Sequence, residues 1–169
     1  ELLIEQAVYS KLGNHHRNIV DYVESLHEIG KPSALVLGFC EHGDVFEMIL
    51  RQESITGSIG LPEALTASIA VDVHAALEYC QSRGVSHLDV KPENIFCTQK
   101  GFVLGDFGLS AIHAPNKSEI YTGYRGTPMY MSPEVSACKK NNLTNVQIVG
   151  ELADVWGLGV CCFAMLAGH

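Results

Sequence analysis

The chain of 169 residues is long enough for one domain of ordinary size with a sizeable core. Its 47% hydrophobic and 18% charged residues are typical of a folded chain and exclude an intrinsically disordered one. The 19 acidic residues outnumber the 11 basic ones and give a net charge of −8, which disfavours nucleic acid and anionic membranes as partners.

The first predicted element is a helix. Its apolar residues follow a helical period, and no capping residue precedes them, so we expect the chain to begin inside a helix and to be part of a longer protein. Two strands are predicted next, Asn18–Glu28 and Ser33–Cys40, joined by a turn at Gly30-Lys31-Pro32. The apolar residues of the opening helix are Leu2, Leu3, Ala7, Val8 and Leu12.

Two helices are predicted after these strands. A short one spans Asp44–Arg51, and a Gly/Ser-rich loop at Thr56–Gly60 follows it. The longer one spans Pro62–Arg83, because Pro stands in its first turn, apolar residues recur at helical spacing and Gly84 provides a stop.

The remaining elements are a hairpin, a long loop and a final helix. Two short apolar runs, "NIFC" and "GFVLGDFG", surround Thr98–Gly101 and predict a hairpin. No period is sustained from Leu109 to Pro133, and a loop of this length inside a compact domain is usually functional. An apolar helix begins at Asp154, and a loop is expected to begin at Gly168-His169.

Apolar runs and cysteines bear on the cellular compartment. No uninterrupted apolar run approaches the roughly 18 residues of a membrane span, so we expect none. The six cysteines lack CxxC spacing and favour buried free thiols. We therefore expect an intracellular protein, in the cytoplasm, the nucleus or both.

The stretch "VSHLDVKPENIFC" (Val85–Cys97) places four polar side chains close together in an otherwise apolar setting. Taken alone, it fits either a solvated turn with an Asx-type bond or a chemical site. The polar residues are Asp89, Lys91, Glu93 and Asn94.

The order and spacing of several short motifs favour the chemical site. "HLDVKPEN" (87–94), "DFG" (106–108), "GTPMYMSPE" (126–134) and "DVWGLGV" (154–160) follow one another along the chain. With these motifs the sequence resembles the protein kinase family over essentially its whole length. The resemblance implies a two-lobed α+β fold, of which residues 1–169 would form the part from helix C to helix F.

The resemblance implies a role for each polar residue of the stretch. Asp89 corresponds to the catalytic aspartate that orients the attacking hydroxyl, and Lys91 to the lysine that contacts the transferring phosphate. Asn94 and Asp106 correspond to the two side chains that bind Mg²⁺, a cation that prefers oxygen ligands. Lys91 followed by Pro-Glu-Asn is the serine/threonine-kinase form.

The resemblance also implies an ATP site. Glu5 corresponds to the helix-C glutamate, whose partner lysine would lie, with the glycine-rich loop, before Glu1. We therefore expect the isolated 169 residues to be inactive. The residues implied to contact the nucleotide are Leu37 as gatekeeper, Gly38 to Cys40 for adenine, Asp44 for the ribose and Phe96 beneath the adenine.

Further positions follow by resemblance. Thr127 would bond the catalytic Asp89, and Asp154 would accept backbone hydrogen bonds from the catalytic loop. Four side chains would stack between the lobes: His87, Phe107, Tyr9 and Tyr22.

One position departs from the family pattern. Leu88 stands where the family usually has an arginine that pairs with a phosphate on the activation segment. Control by a phosphate on Ser118, Tyr121 or Thr122 is therefore in doubt, although Asp89 is intact.

The sequence therefore predicts a serine/threonine protein kinase that uses ATP and Mg²⁺ to modify protein hydroxyls. The alternative is a pseudokinase, a non-catalytic binding or scaffolding module on the same fold, which Leu88 and the unseen lysine keep open. Short stretches of the sequence resemble fungal Ran-type kinases, and others resemble the checkpoint and calcium/calmodulin-dependent groups. The oligomeric state is left open.

Overall fold

The computed structural model describes residues 2–27, 33–57, 59–114, 117, 119–141 and 143–168. The first part of the fold combines helix α1 (Leu2–Leu12) with the antiparallel strands β1 (Tyr22–Leu26) and β2 (Ala34–Leu37). Both strands are shorter than predicted, and β1 starts late because residues 18–20 bond instead to Leu104 on a later strand. The predicted turn at 30–32 lies outside the described residues.

The second part of the fold is mostly helical. Helix α2 (Val45–Thr56) is longer than predicted, since Asp44 caps its start by accepting a bond from the backbone of Glu47 and Gly57 ends it at a φ of 68°. Helix α3 (Glu63–Ser82) matches its prediction. The predicted α+β architecture in two parts is therefore confirmed.

The polar stretch lies between α3 and a hairpin. Strand β3 (Val85–Ser86) opens it, a 3₁₀ turn at Pro92–Asn94 closes it, and the predicted hairpin of β4 (Ile95–Thr98) and β5 (Gly101–Leu104) follows. The DFG motif comes directly after β5, so the hairpin brings residues 106–108 back beside the polar stretch.

The predicted loop at 109–133 contains two strands. Strand β6 (Ala111–Ile112) pairs with β3, and β7 (Glu119–Thr122) pairs with β8 (Val146–Val149). Two elements near the end were not predicted at all, namely helix α4 (Pro133–Lys140) and strand β8.

Helix α5 (Gly150–Ala167) begins four residues before its predicted start. By length and composition alone, this 18-residue helix could cross a membrane. The expectation that no apolar segment approaches this length is therefore wrong. A search for an uninterrupted apolar run misses this helix because Glu151 and Asp154 interrupt its apolar sequence. A core helix passes the same test, and 44% of α5 is buried in the structure.

Two apolar clusters hold these elements together. The larger joins α1, α2, α3, the β4–β5 hairpin and α5, and it includes the fully buried Leu12, Val73 and Ile95. The smaller joins β7, β8, α4 and the start of α5, and Leu88 packs against it. Its buried members are Ile120, Met131, Val135, Ile148 and Ala153. The polar stretch runs between the two clusters.

Candidate active site

Asp89 lies at the centre of the polar stretch and is only 6% exposed. The backbone N–H of Thr127 donates to its Oδ1 at 2.7 Å, and the Lys91 ammonium lies 3.1 Å from its Oδ2. Burial raises the pKa of this carboxyl, but the donors on Thr127 and Lys91 outweigh burial and hold the pKa below its ordinary value. Asp89 is therefore a carboxylate at neutral pH, able to accept a hydrogen bond from a hydroxyl.

Lys91 and Asn94 complete the surroundings of Asp89. Lys91 Nζ also donates to the Thr127 hydroxyl at 3.0 Å. Asn94 Nδ2 donates to the backbone carbonyl of Asp89 at 2.9 Å and to its Oδ2 at 3.3 Å. Because the amide nitrogen is turned toward Asp89, the Asn94 side-chain oxygen is the atom left for a cation.

Asp154 holds the backbone that precedes Asp89. Its two carboxylate oxygens accept the N–H groups of His87 at 2.8 Å and Leu88 at 2.7 Å. Burial raises the pKa of Asp154 to about 7, against the opposing effect of these two donors. Leu88 has a φ of 64°, a left-handed conformation that is unfavourable for a branched side chain. The bonds to Asp154 fix this strained backbone.

His87 links the catalytic stretch to the DFG motif. Its Nε2 lies 3.0 Å from the carbonyl oxygen of Gly105, and its Nδ1 accepts the backbone N–H of Asp89 at 3.2 Å. Both contacts are satisfied together only by the neutral ring with the proton on Nε2. Burial lowers the pKa of His87, which favours this neutral form.

Four aromatic rings connect the two parts of the fold. His87 lies 4.9 Å from Phe107, Phe107 lies 5.2 Å from Tyr9, and Tyr9 stacks on Tyr22 at 5.8 Å between ring centres. The predicted stack is therefore present in the structure. It fixes α1 and β1 relative to the catalytic stretch.

A cleft of about 430 Å³ lies between the two parts of the fold. This volume suits a small-molecule ligand. Six residues that the sequence assigns to the ATP site line it, together with the predicted metal ligand Asp106. Those six are Glu5, Leu37, Gly38, Cys40, Asp44 and Phe96.

The inner end of the cleft is negatively charged. Asp106 is exposed, with a φ of 58°, and its charge adds to burial in raising the pKa of Glu5. Within the described residues, no group of three or more His, Cys, Asp or Glu side chains could hold a metal on its own. One carboxylate and one amide oxygen still fit Mg²⁺, which keeps waters and substrate phosphates in its shell. The residues present therefore fit the predicted cation.

Sequence reasoning missed some features of this site. Val20 and Gly43 line the cleft without any motif to reveal them. Asp44 was predicted for the ribose, but its Oδ1 accepts the Glu47 N–H at 2.8 Å as a helix cap. The "S/T/D/N before a helix" pattern could have indicated that second role. The packing of Leu88 against the smaller apolar cluster was also not predicted.

Comparison with known sequences agrees with this geometry. Residues 1–169 match the family described as Protein kinase domain. The chain is 33% identical over 151 residues to Serine/threonine-protein kinase Nek4 of Mus musculus, a match covering 89% of this chain and 17% of that protein. It is 33% identical over 162 residues to CBL-interacting serine/threonine-protein kinase 16 of Arabidopsis thaliana, covering 90% of this chain and 32% of that protein.

A third relative is similar. The chain is 34% identical over 154 residues to CBL-interacting protein kinase 17 of Oryza sativa subsp. japonica, covering 88% of this chain and 31% of that protein. The chain thus spans a third or less of the length of these relatives. The subfamily stays a prediction, because the names of these relatives do not decide among the groups that the motifs resemble.

Proposed function

Because the chain belongs to the protein kinase family, we propose that the protein transfers the γ-phosphate of ATP to serine and threonine hydroxyls of protein substrates. The observation that carries this proposal is the environment of Asp89, a buried carboxylate kept ionised by Thr127 and Lys91. An enzyme of this class supplies position and charge rather than a covalent intermediate. Each predicted site residue then has a defined task.

Asp89 orients the substrate hydroxyl and receives its proton. The hydroxyl oxygen forms a bond to the γ-phosphorus, the bond from that phosphorus to the β–γ bridging oxygen breaks, and ADP leaves. Lys91 lies 3.1 Å from Asp89 and is close enough to offset negative charge on the transferring group. Its bond to the Thr127 hydroxyl keeps the ammonium in place.

The cleft would hold ATP with the adenine near Leu37, Gly38 and Cys40 and the phosphates toward Asp106. Asp106 and Asn94 would hold Mg²⁺, which supplies neutralisation of the phosphate charge when bound. Asp44 uses its Oδ1 for the capping bond, and its other carboxylate oxygen would reach the ribose. Phe96 would lie beneath the adenine.

The test uses the full-length protein with labelled ATP and a generic protein substrate. We expect Mg²⁺-dependent label on serine and threonine, and loss of transfer when EDTA is added or Asp106 is changed to Asn. Label on tyrosine alone would overturn the assigned hydroxyl class. ATP binding without any transfer would instead establish the pseudokinase alternative.

We also propose an intracellular location. All six cysteines are free thiols, as expected in a reducing compartment. Microscopy of a fluorescent fusion of the full-length protein tests this, and secretion into the medium would contradict it.

A further inference from the structure

The hydroxyl of Tyr9 is a buried polar group without a partner. Tyr9 is 1% exposed, and its hydroxyl oxygen finds no hydrogen-bond partner within the described residues. A buried hydroxyl that stays unpaired costs free energy, because it has left water without gaining a bond in return. Phenylalanine at this position could make the same ring contacts without that cost. Packing alone therefore does not account for the hydroxyl.

The neighbouring ring of the aromatic stack differs in this respect. The Tyr22 hydroxyl lies 2.7 Å from the Ser25 hydroxyl and is paired. The Tyr9 ring is held from two sides, by Tyr22 stacked at 5.8 Å and by the edge contact with Phe107 at 5.2 Å. Because the ring cannot turn without breaking these contacts, the direction of its hydroxyl is fixed.

That direction is toward the inner end of the cleft, where Tyr9 lies beside Glu5 and Asp106. Burial raises the pKa of the Tyr9 hydroxyl, and the charges of Glu5 and Asp106 raise it further. The backbone N–H of Asp106 acts in the opposite direction. The hydroxyl is therefore close to two carboxylates that could accept its proton in a hydrogen bond and to one N–H that could donate to its oxygen.

Glu5 approaches the same backbone from helix α1. Glu5 and Tyr9 are four residues apart on α1, so their side chains lie on one face of the helix. The backbone N–H of Phe107 lowers the pKa of Glu5, against the stronger effects of burial and of the Asp106 charge. Two side chains of α1 thus converge on the backbone at residues 106 and 107.

Asp106 is a residue for which such support matters. Its φ of 58° is a left-handed conformation, which is unfavourable for a residue with a side chain. Its Oδ1 accepts the Gly108 N–H at 3.3 Å, a bond within the same turn. The carboxylates of Asp106 and Glu5 also repel each other. A cation on Asp106 reduces that repulsion and allows Glu5 to come closer.

We propose that Tyr9, through its hydroxyl, is a positioning residue for Asp106. When Asp106 holds a divalent cation, the hydroxyl accepts the Asp106 N–H and donates to the Glu5 carboxylate. This bridge joins α1 to the backbone that presents the cation ligand. The inference rests on the proposed use of ATP and Mg²⁺, and it concerns the hydroxyl of Tyr9 and not its ring.

The first experiment is calorimetry of ADP binding to the full-length protein. Tyr9→Phe removes the hydroxyl and keeps the ring. It should weaken binding of ADP in Mg²⁺ by at least about fivefold, while binding of ADP in EDTA stays within about twofold of wild type. Ser10→Ala is the matched control, because it removes an exposed hydroxyl from the same helix, and it should bind as wild type does. Equal losses in Mg²⁺ and EDTA would overturn the positioning role.

Thermal unfolding separates positioning from a contribution to the fold. In EDTA and without nucleotide, Tyr9→Phe should melt about 2–4 °C above wild type, since it no longer buries an unpaired hydroxyl. A hydroxyl that only stabilised the fold would lower the melting temperature on removal. The variant is therefore expected to be more stable and yet to bind ADP with Mg²⁺ less tightly. An unchanged or lower melting temperature would contradict the proposal.

A second background tests Glu5 as the acceptor. Glu5→Ala removes the carboxylate, so adding Tyr9→Phe to it should change the affinity for ADP in Mg²⁺ by less than about twofold. A further fivefold loss in that background would refute the bridge to Glu5. Wild type that binds no ADP in Mg²⁺ would overturn the proposed function and this inference with it. Equal binding by wild type and Tyr9→Phe would overturn this inference alone.

Discussion

The catalytic stretch 85–94 and the segment 109–133 lie against each other, but side-chain hydrogen bonds fix the first, whereas backbone pairing and apolar packing hold most of the second. Directional hydrogen bonds to Asp154, His87 and Thr127 fix the first. The β7–β8 backbone ladder and the packing of Leu88 on the smaller apolar cluster hold most of the second. The atoms assigned to the chemistry need defined directions, which hydrogen bonds provide. The surrounding segment needs only to stay in place, which apolar packing can achieve.

The largest expected effect is at Asp89, where the two regions meet. Asp89→Asn should lower turnover by about 10²- to 10⁴-fold, because the amide cannot accept the hydroxyl proton. KM for ATP should change little, since the carboxylate acts on the hydroxyl and not on the nucleotide. Steady-state kinetics of the full-length protein measure both.

The surface variant Glu53→Gln is the control for Asp89→Asn, because Glu53 is an exposed residue of α2. It should behave as wild type. Turnover near wild type in Asp89→Asn would remove Asp89 from the catalytic role.

The second effect tests how strongly one buried carboxylate holds the catalytic stretch. Asp154→Ala removes the acceptor of two backbone N–H groups and releases the strained Leu88 backbone. Hydrogen bonds to a charged group contribute about 1.5–3 kcal/mol each, so the free energy of unfolding should fall by about 2–5 kcal/mol. Urea titration at pH 8, above the raised pKa of about 7, measures it.

Glu151→Ala is the matched control for Asp154→Ala. Glu151 is an exposed carboxylate on the same helix, and its removal should change stability by less than about 0.5 kcal/mol. Equal losses in the two variants would show that helix α5, and not the carboxylate of Asp154, is responsible.

The catalytic stretch could be largely predicted from sequence because its chemistry requires particular side chains at fixed spacing. Asp89, Asn94 and Asp154 have no good substitutes for their tasks, so their pattern is visible in one sequence. The hairpin at 95–104 was predicted for a related reason, since its two apolar runs are close in the chain.

The segment 109–133 could not be predicted in the same way. Strands β7 and β8 pair through backbone groups, which require no particular side chains, and they are more than twenty residues apart. The start of α5 was missed because Val149 precedes it without a side-chain cap. The packing of Leu88 was not predicted because its partners are far apart in the sequence, on β7, β8, α5, and in and just before α4.

A third and smaller effect concerns the neutral ring of His87. Its folded pKa is lowered from 6.5 by burial, so the unfolded chain binds the proton more readily. The stability contribution is therefore present above pH 6.5 and is lost as pH falls from 6.5 toward the lowered folded pKa. The slope contributed by this one group is at most about 1.4 kcal/mol per pH unit.

Thermal unfolding between pH 5 and 7.5 measures this dependence. His87→Phe should reduce this pH dependence relative to wild type, leaving the slope of His16, whose pKa burial also lowers, and the opposite slope of Asp154, whose pKa burial raises to about 7. Val71→Ala, at an exposed site on α3 that does not titrate, should leave the slope as in wild type. An unchanged slope in His87→Phe would contradict the neutral-ring assignment.

The smallest expected effect is that of removing the hydroxyls on the segment itself. Ser118 lies outside the described residues, the Tyr121 side chain is likewise not described, and Thr122 is buried beside Leu88. If apolar packing holds the segment, replacing these three residues by Ala, Phe and Ala should change turnover by less than about tenfold, or about 1.4 kcal/mol. Phosphatase-treated wild type should behave in the same way.

A second triple variant with Val at position 122 separates packing from phosphate acceptance. Valine keeps the shape of threonine but cannot be phosphorylated, and it gives up the bond from the Thr122 hydroxyl to the adjacent Gly123 carbonyl at 3.3 Å. A loss seen with Ala but not with Val therefore reports the packing of the side chain at position 122 and not its hydroxyl. A loss of several hundredfold with both, and in phosphatase-treated wild type, would mean that a phosphate orders the segment after all, with Arg125 as the half-buried cation nearest to take the role of the missing arginine.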